Sequence, residues 1–228
     1  MNILFFFELP IIPYVGGVQR VTDNLTREFT RRGHNVIFLC PYPQDINTDN
    51  FCNFSAPQYY INFDNTVDAK NHVKRVLKDC CINIIINQFT FENLENSLFL
   101  FECADVNVKK ISCYHNDPYY FRNKEVRMAQ SLKPINLKGF ISKYFRIIFP
   151  STYRYLKTKK FQEKYVKILN VSDYLCFLSE KFIPEFIEIT KLSDENKKKI
   201  IAVNNPNTFE VSPIVEKECN KENTILYV

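Results

Sequence analysis

Tryptophan is absent from these 228 residues, and histidine, glycine and methionine are scarce, at three, four and two copies. With so few histidines, and no Cys-x-x-Cys among eight scattered cysteines, neither a zinc site nor a disulfide framework is supported. A chain of this size builds its core without staples, so the thiols read as reduced and the expected compartment is cytoplasmic. No Gly-x-Gly-x-x-Gly occurs, and the second apolar run ends in Cys40-Pro41-Tyr42 where a dinucleotide fold wants an acidic ribose ligand, which argues against NAD. No uninterrupted apolar run reaches the ~18 residues of a membrane span. The best candidate, 139–149, is broken by Lys143 and Arg146. The apolar N-terminus lacks both a basic leader region and an Ala-x-Ala-like cleavage site, so it reads as a first strand and not a signal peptide.

What is present is an ordinary globular composition, 46% apolar, enough for one full domain with a little chain to spare. The net charge of +5 is unevenly spread. Between Arg122 and Lys167 thirteen basic residues face only Glu125 and Glu163, a segment of +11, which leaves −6 for the rest of the chain. Phe140, Tyr144, Phe145, Phe149, Tyr153, Tyr155, Phe161 and Tyr165 interleave with those charges. That mixture suits a helix lying on an anionic membrane surface. A solvated helix face is the plainer alternative. Single-stranded nucleic acid would use the same residue types, but no nucleic-acid-binding motif accompanies them.

The chain is organised around its start. Ile3 to Phe7 is a continuous apolar run of strand length, as expected of a parallel strand covered on both faces. Val18, Val21, Leu25 and Phe29 fall at helical spacing, and Gly33 stands where a left-handed cap is wanted. Val36 to Leu39 is a second strand, which completes a βαβ unit with an expected right-handed crossover. The helix opens on Gly16-Gly17, where free N–H groups suit phosphate; a simple strand–helix turn is the alternative. Beyond it, strands are expected at 58–61, 82–86, 110–114, 174–178 and 200–203. Helices are expected at 66–79 (with Val67, Val73, Val76 and Leu77 on one side), 91–103, 123–131, 138–149, 152–170 and 179–189. Residues 209–223 read as a linker and 224–228 as a fresh strand.

Gly16-Gly17-Val18-Gln19-Arg20, then Arg32-Gly33-His34-Asn35-Val36, a strand ending at His115-Asn116, and Ile201-Ala202-Val203-Asn204-Asn205-Pro206 occur in that order. In order and spacing the chain resembles the N-terminal domain of family 4 glycosyltransferases. Gln19 departs from the glutamate common in that family. The resemblance implies an α/β fold: a Rossmann-like parallel sheet with helices on both faces, the N-terminal half of a GT-B architecture. Residues 1–208 would form the acceptor-side domain, 209–223 the interdomain linker, and 224–228 the first strand of a missing C-terminal domain.

It further implies a retaining, nucleotide-sugar-dependent transferase working in glycan or cell-surface polysaccharide synthesis. The nucleotide-sugar would be a co-substrate, with no bound cofactor or essential metal. A glycan or lipid-linked molecule would be the acceptor. His115, just past a strand's carboxyl end, would position the sugar or stabilise charge, with a loop histidine bonded to backbone as the plainer reading. Gly16, Gly17 and Arg20 would meet phosphate or substrate, and Asn116 hydroxyl groups. An exposed helix arginine is an equal alternative for Arg20. Asp117 reads either as a hydroxyl ligand or as a cap before Pro118, while His34 reads as a cap or surface residue. The family's Glu-x7-Glu pair has no counterpart here, so this chain alone is expected to be inactive. The expected location is cytoplasmic, with 122–167 set against the inner membrane face. A non-catalytic binding fragment and an unrelated Rossmann-like nucleotide-binding protein are the competing classes.

Overall fold

The computed structural model describes residues 1–12, 16–41, 54–63, 66–88 and 94–205. The turn at Pro206, the linker over 209–223 and the strand over 224–228 lie outside the described residues.

Strand β1 (Asn2–Phe6) is buried from Ile3 onward, which is why its run is apolar without alternation. Helix α1 (Gly17–Arg31) leads to β2 (Asn35–Pro41). Gly33 has φ +80, the amide of His34 donates to Phe29 O and that of Gly33 to Thr30 O. This pair of bonds ends α1 as a Schellman motif, with the His34 ring edge-on to Phe29. The order then runs β3 (Gln58–Ile61), α2 (Thr66–Asp79), β4 (Ile84–Asn87), α3 (Leu94–Cys103) and β5 (Lys109–Tyr114). Next come α4 (Tyr120–Arg127), α5 (Leu137–Ile148), α6 (Pro150–Val171), β6 (Tyr174–Phe177), α7 (Phe182–Thr190), α8 (Asp194–Lys197) and β7 (Ile200–Ala202).

The seven strands form one sheet, ordered β3-β2-β1-β4-β5-β6-β7, with every neighbouring pair parallel. Side chains alternate between its faces. Leu4 and Phe6 enter a large core with Val73 of α2, Phe101 of α3, Tyr165 of α6 and Phe186 of α7. Ile3 and Phe5 enter a smaller one with Val36, Phe38, and Leu25 and Phe29 of α1. Helices therefore cover both faces of a Rossmann-like sheet, as expected, but unequally. α4 and α5 pack outside α6.

One residue expected on an inner face lies outside: Val67 of α2 is exposed. Ala69 joins Val73, Val76 and Leu77 on the buried side instead.

Candidate functional site

A parallel sheet brings all its strand carboxyl ends to one edge, and ligands collect where the strand order reverses. Here the reversal lies at β1, between β2 and β4. Among the described residues at that edge are those between β1 and α1, those at the end of β4, and those just after β5.

Gly16 is the N-cap of α1, in extended conformation (φ −162, ψ 162), and its carbonyl accepts the amide of Arg20 at 3.0 Å. Among the described residues no side chain caps the helix, and no acidic residue occupies its first turn, so its first N–H groups keep their positive end uncovered by them. A Cβ built on Gly16 or Gly17 meets nothing within 4 Å among the described residues. These glycines are not required by internal packing; they leave backbone open to approach. Arg20 is exposed, and its guanidinium makes no hydrogen bond or ion pair among the described residues. Gln19 is buried, and its Oε1 accepts the amide of Ile12 at 3.3 Å. The residue that departs from the family pattern thus ties down the loop that leads into the glycines.

On the other side of the edge, β4 ends in buried Asn87 and Gln88, and the Gln88 amide donates to Phe6 O of β1 at 2.9 Å. Just past β5, His115 Nε2–H donates to Gln88 Oε1 at 2.6 Å. Burial lowers the His115 pKa to about 4, so the ring is neutral near pH 7. With Nε2 carrying the proton, Nδ1 remains as an acceptor. The ring can act on a ligand through hydrogen bonding.

Asn116 is half-buried beside it. Asp117 serves the turn: its Oδ1 accepts the Tyr119 amide at 2.6 Å, and its carbonyl accepts the amide of Tyr120 at 2.8 Å. This is an Asx turn ahead of α4, whose own N-cap is Tyr119, without a side-chain cap bond. Where that loop meets α4, a cleft of about 180 Å³ is lined by Asp117, Tyr120, Asn123, Lys124, Arg127 and Met128. His34 lies at the opposite end of the sheet, with its Nδ1 3.4 Å from the amino terminus.

The edge therefore gathers Gly16, Gly17 and Arg20 from one connection and His115 and Asn116 from another. Gln88 was not anticipated from the sequence. Its signal was present in Ile84-Ile85-Ile86-Asn87-Gln88, where a β-branched run turns polar at a strand's carboxyl end.

The profile of Glycosyltransferase Family 4 matches residues 15–164, about two thirds of the chain, from the glycine pair into α6. A glycosyltransferase crystal structure from Rickettsia africae ESF-5 aligns over 91% of this chain and 69% of its own, at 14% identity and a TM-score of 0.37. No curated protein matches the chain. The matched segment contains the open glycine pair, Gln88 and His115, and the chain belongs to glycosyltransferase family 4.

Proposed function

We propose that this chain is the acceptor-side domain of a retaining, nucleotide-sugar-dependent glycosyltransferase, and that its acceptor is a glycan or lipid-linked molecule of polysaccharide synthesis. The observation that carries this reading is the open, uncapped start of α1 at Gly16-Gly17, on the same sheet edge as the neutral His115–Gln88 pair. The helix terminus supplies N–H donors and positive potential for a diphosphate. His115 supplies a fixed acceptor for a sugar hydroxyl, and Arg20 and Asn116 flank the two. The donor-holding carboxylate pair typical of the family belongs, in this reading, to a second domain. A cytoplasmic site of action, at the inner membrane face, goes with a lipid-linked acceptor.

Two measurements test it. Titration with UDP- and GDP-sugars against NAD(P) should show weak binding of a nucleotide-sugar and none of the dinucleotide; tight dinucleotide binding overturns the reading. The purified chain without any partner should transfer no sugar, and detectable turnover would remove the half-site part of the proposal. Gly17→Ala separates a phosphate contact from a plain turn. The added methyl group meets open space, so stability should hold or rise by up to ~1 kcal/mol, while nucleotide-sugar affinity falls. Unchanged affinity would return the glycine pair to a structural role.

A further inference from the structure

Helix α5 presents its apolar side outward. Leu137, Phe140, Ile141, Tyr144, Ile147 and Ile148 recur at helical spacing and are all exposed, and the helix buries none of its residues. Lys143 and Arg146 point the other way. Arg146 pairs with Glu125 at 3.5 Å and lies over the Tyr153 ring, and Lys143 Nζ donates to the carbonyls of Gln130 and Leu132. A surface helix of a globular protein has the reverse arrangement. The helix is well formed, because Asn136 Oδ1 accepts the Gly139 amide as its N-cap. Ile135, just before that cap, is 100% exposed. The two charges that interrupt the apolar run in the sequence are those that fasten the helix to the protein.

Charge decides what covers this face. Lys133 and Lys138, at the start of α5, are exposed, within the segment of net +11. Of the two acidic residues there, Glu125 is already engaged by Arg146 and Lys157. Two copies of this chain would bring like charges together, which opposes self-association. Aliphatic side chains predominate on the face, and its two aromatic rings, Phe140 and Tyr144, pack on each other with centroids 4.4 Å apart, which leaves little for stacking nucleobases.

We infer that α5 is an interfacial membrane helix that lies in the plane of an anionic bilayer, its apolar face at the acyl boundary and the surrounding lysines on the lipid phosphates. Twelve residues are too few to span, and no helix among the described residues is long and apolar enough to cross a membrane. Glu125 ties α5 to α4, which starts five residues after His115. The membrane surface and the acceptor edge are thus joined through one short connection. The inference stands on the helix itself and does not depend on the identity of the acceptor.

Because the chain has no tryptophan, Ile141→Trp creates a single fluorescent reporter at the centre of the face. Mixed with phosphatidylcholine vesicles containing phosphatidylglycerol, the full chain should show a blue-shifted emission that brominated acyl chains quench, and neither change with phosphatidylcholine alone. In co-sedimentation of the tryptophan-free chain, Ile141→Glu with Ile148→Glu should lower vesicle affinity at least about tenfold. Lys133→Ala and Lys138→Ala should each cost about fivefold, with the loss masked at high salt. These positions are exposed, so unchanged circular dichroism and urea midpoint accompany the expected result. Equal binding to both vesicle types, or no blue shift with either, overturns the inference. So does a dimer in solution that Ile141→Glu dissociates, since the face would then belong to a second copy.

Discussion

At the scale of single residues, His115 owes its state to Gln88 and to burial. Its folded pKa of about 4 lies below the ordinary 6.5, so the unfolded chain takes up the proton first. The stability this neutral ring contributes is complete above pH 6.5, declines as pH falls towards 4, and is gone below that. The drop amounts to about 2 kcal/mol by pH 5, an upper figure because the ring is only half-buried. Glu28, held at about 2 by its bonds to Arg31 and Arg32, responds only at lower pH. Urea unfolding at pH 7.5 and pH 5 should therefore show a loss in the native chain that His115→Gln lacks. An equal loss in both would remove His115 from the acid response. Gln88 shows where sequence reasoning stops. A histidine at a strand end is conspicuous, whereas the buried amide that orients it lies 27 positions earlier and meets it only through the strand order.

At the scale of elements, the outer layer of α4, α5 and α6 hangs on Glu125. This one carboxylate accepts from Tyr153 Oη and Lys157 Nζ of α6 and pairs with Arg146 of α5. In so basic a segment its loss leaves three donors without their acceptor and the local charge less balanced. Glu125→Ala should cost about 1–2 kcal/mol, a figure reduced for partial exposure, and should hasten tryptic cutting at Lys138. Glu163→Ala, in the same segment but exposed, should stay within about 0.5 kcal/mol. Matching effects of the two substitutions would show that net charge, and not the Glu125 contacts, holds the layer.

The strands and most helices were readable in the sequence because burial on both faces leaves an uninterrupted apolar run, and burial on one face leaves a 3.6-residue period. The ranges over 58–61 and 66–79 coincide with β3 and α2. Which face of α5 is inward was not readable, since periodicity locates an apolar stripe without saying what lies opposite it. The short α8 also escaped, because its four residues bury nothing. Its one signal was the Ser193 cap, whose Oγ accepts the Asn196 amide.

At the scale of the whole molecule, the two faces of the sheet are held with unequal strength. The core on the α2, α3, α6 and α7 side draws on four helices, with the rings of Tyr165 and Phe186 packed on Tyr114 of β5 and Phe177 of β6. Among the described helices, α1 alone serves the opposite core. Its buried side is also partly polar. Gln19, Thr22, Asp23 and Thr26 lie there, with both threonine hydroxyls bonded back to α1 carbonyls, and Asp23 Oδ1 is buried without a partner among the described residues. Such a face gains less on docking than an apolar one. α1 should therefore undock in a partial opening of lower free energy than global unfolding. Native-state hydrogen exchange would resolve it: amides within α1 should exchange well before those around Tyr165 to Leu169 in α6, and a nucleotide-sugar bound at Gly16-Gly17 should slow the first group selectively. A single opening energy shared by both helices would refute the two-layer account, and it would deny α1 an independent motion.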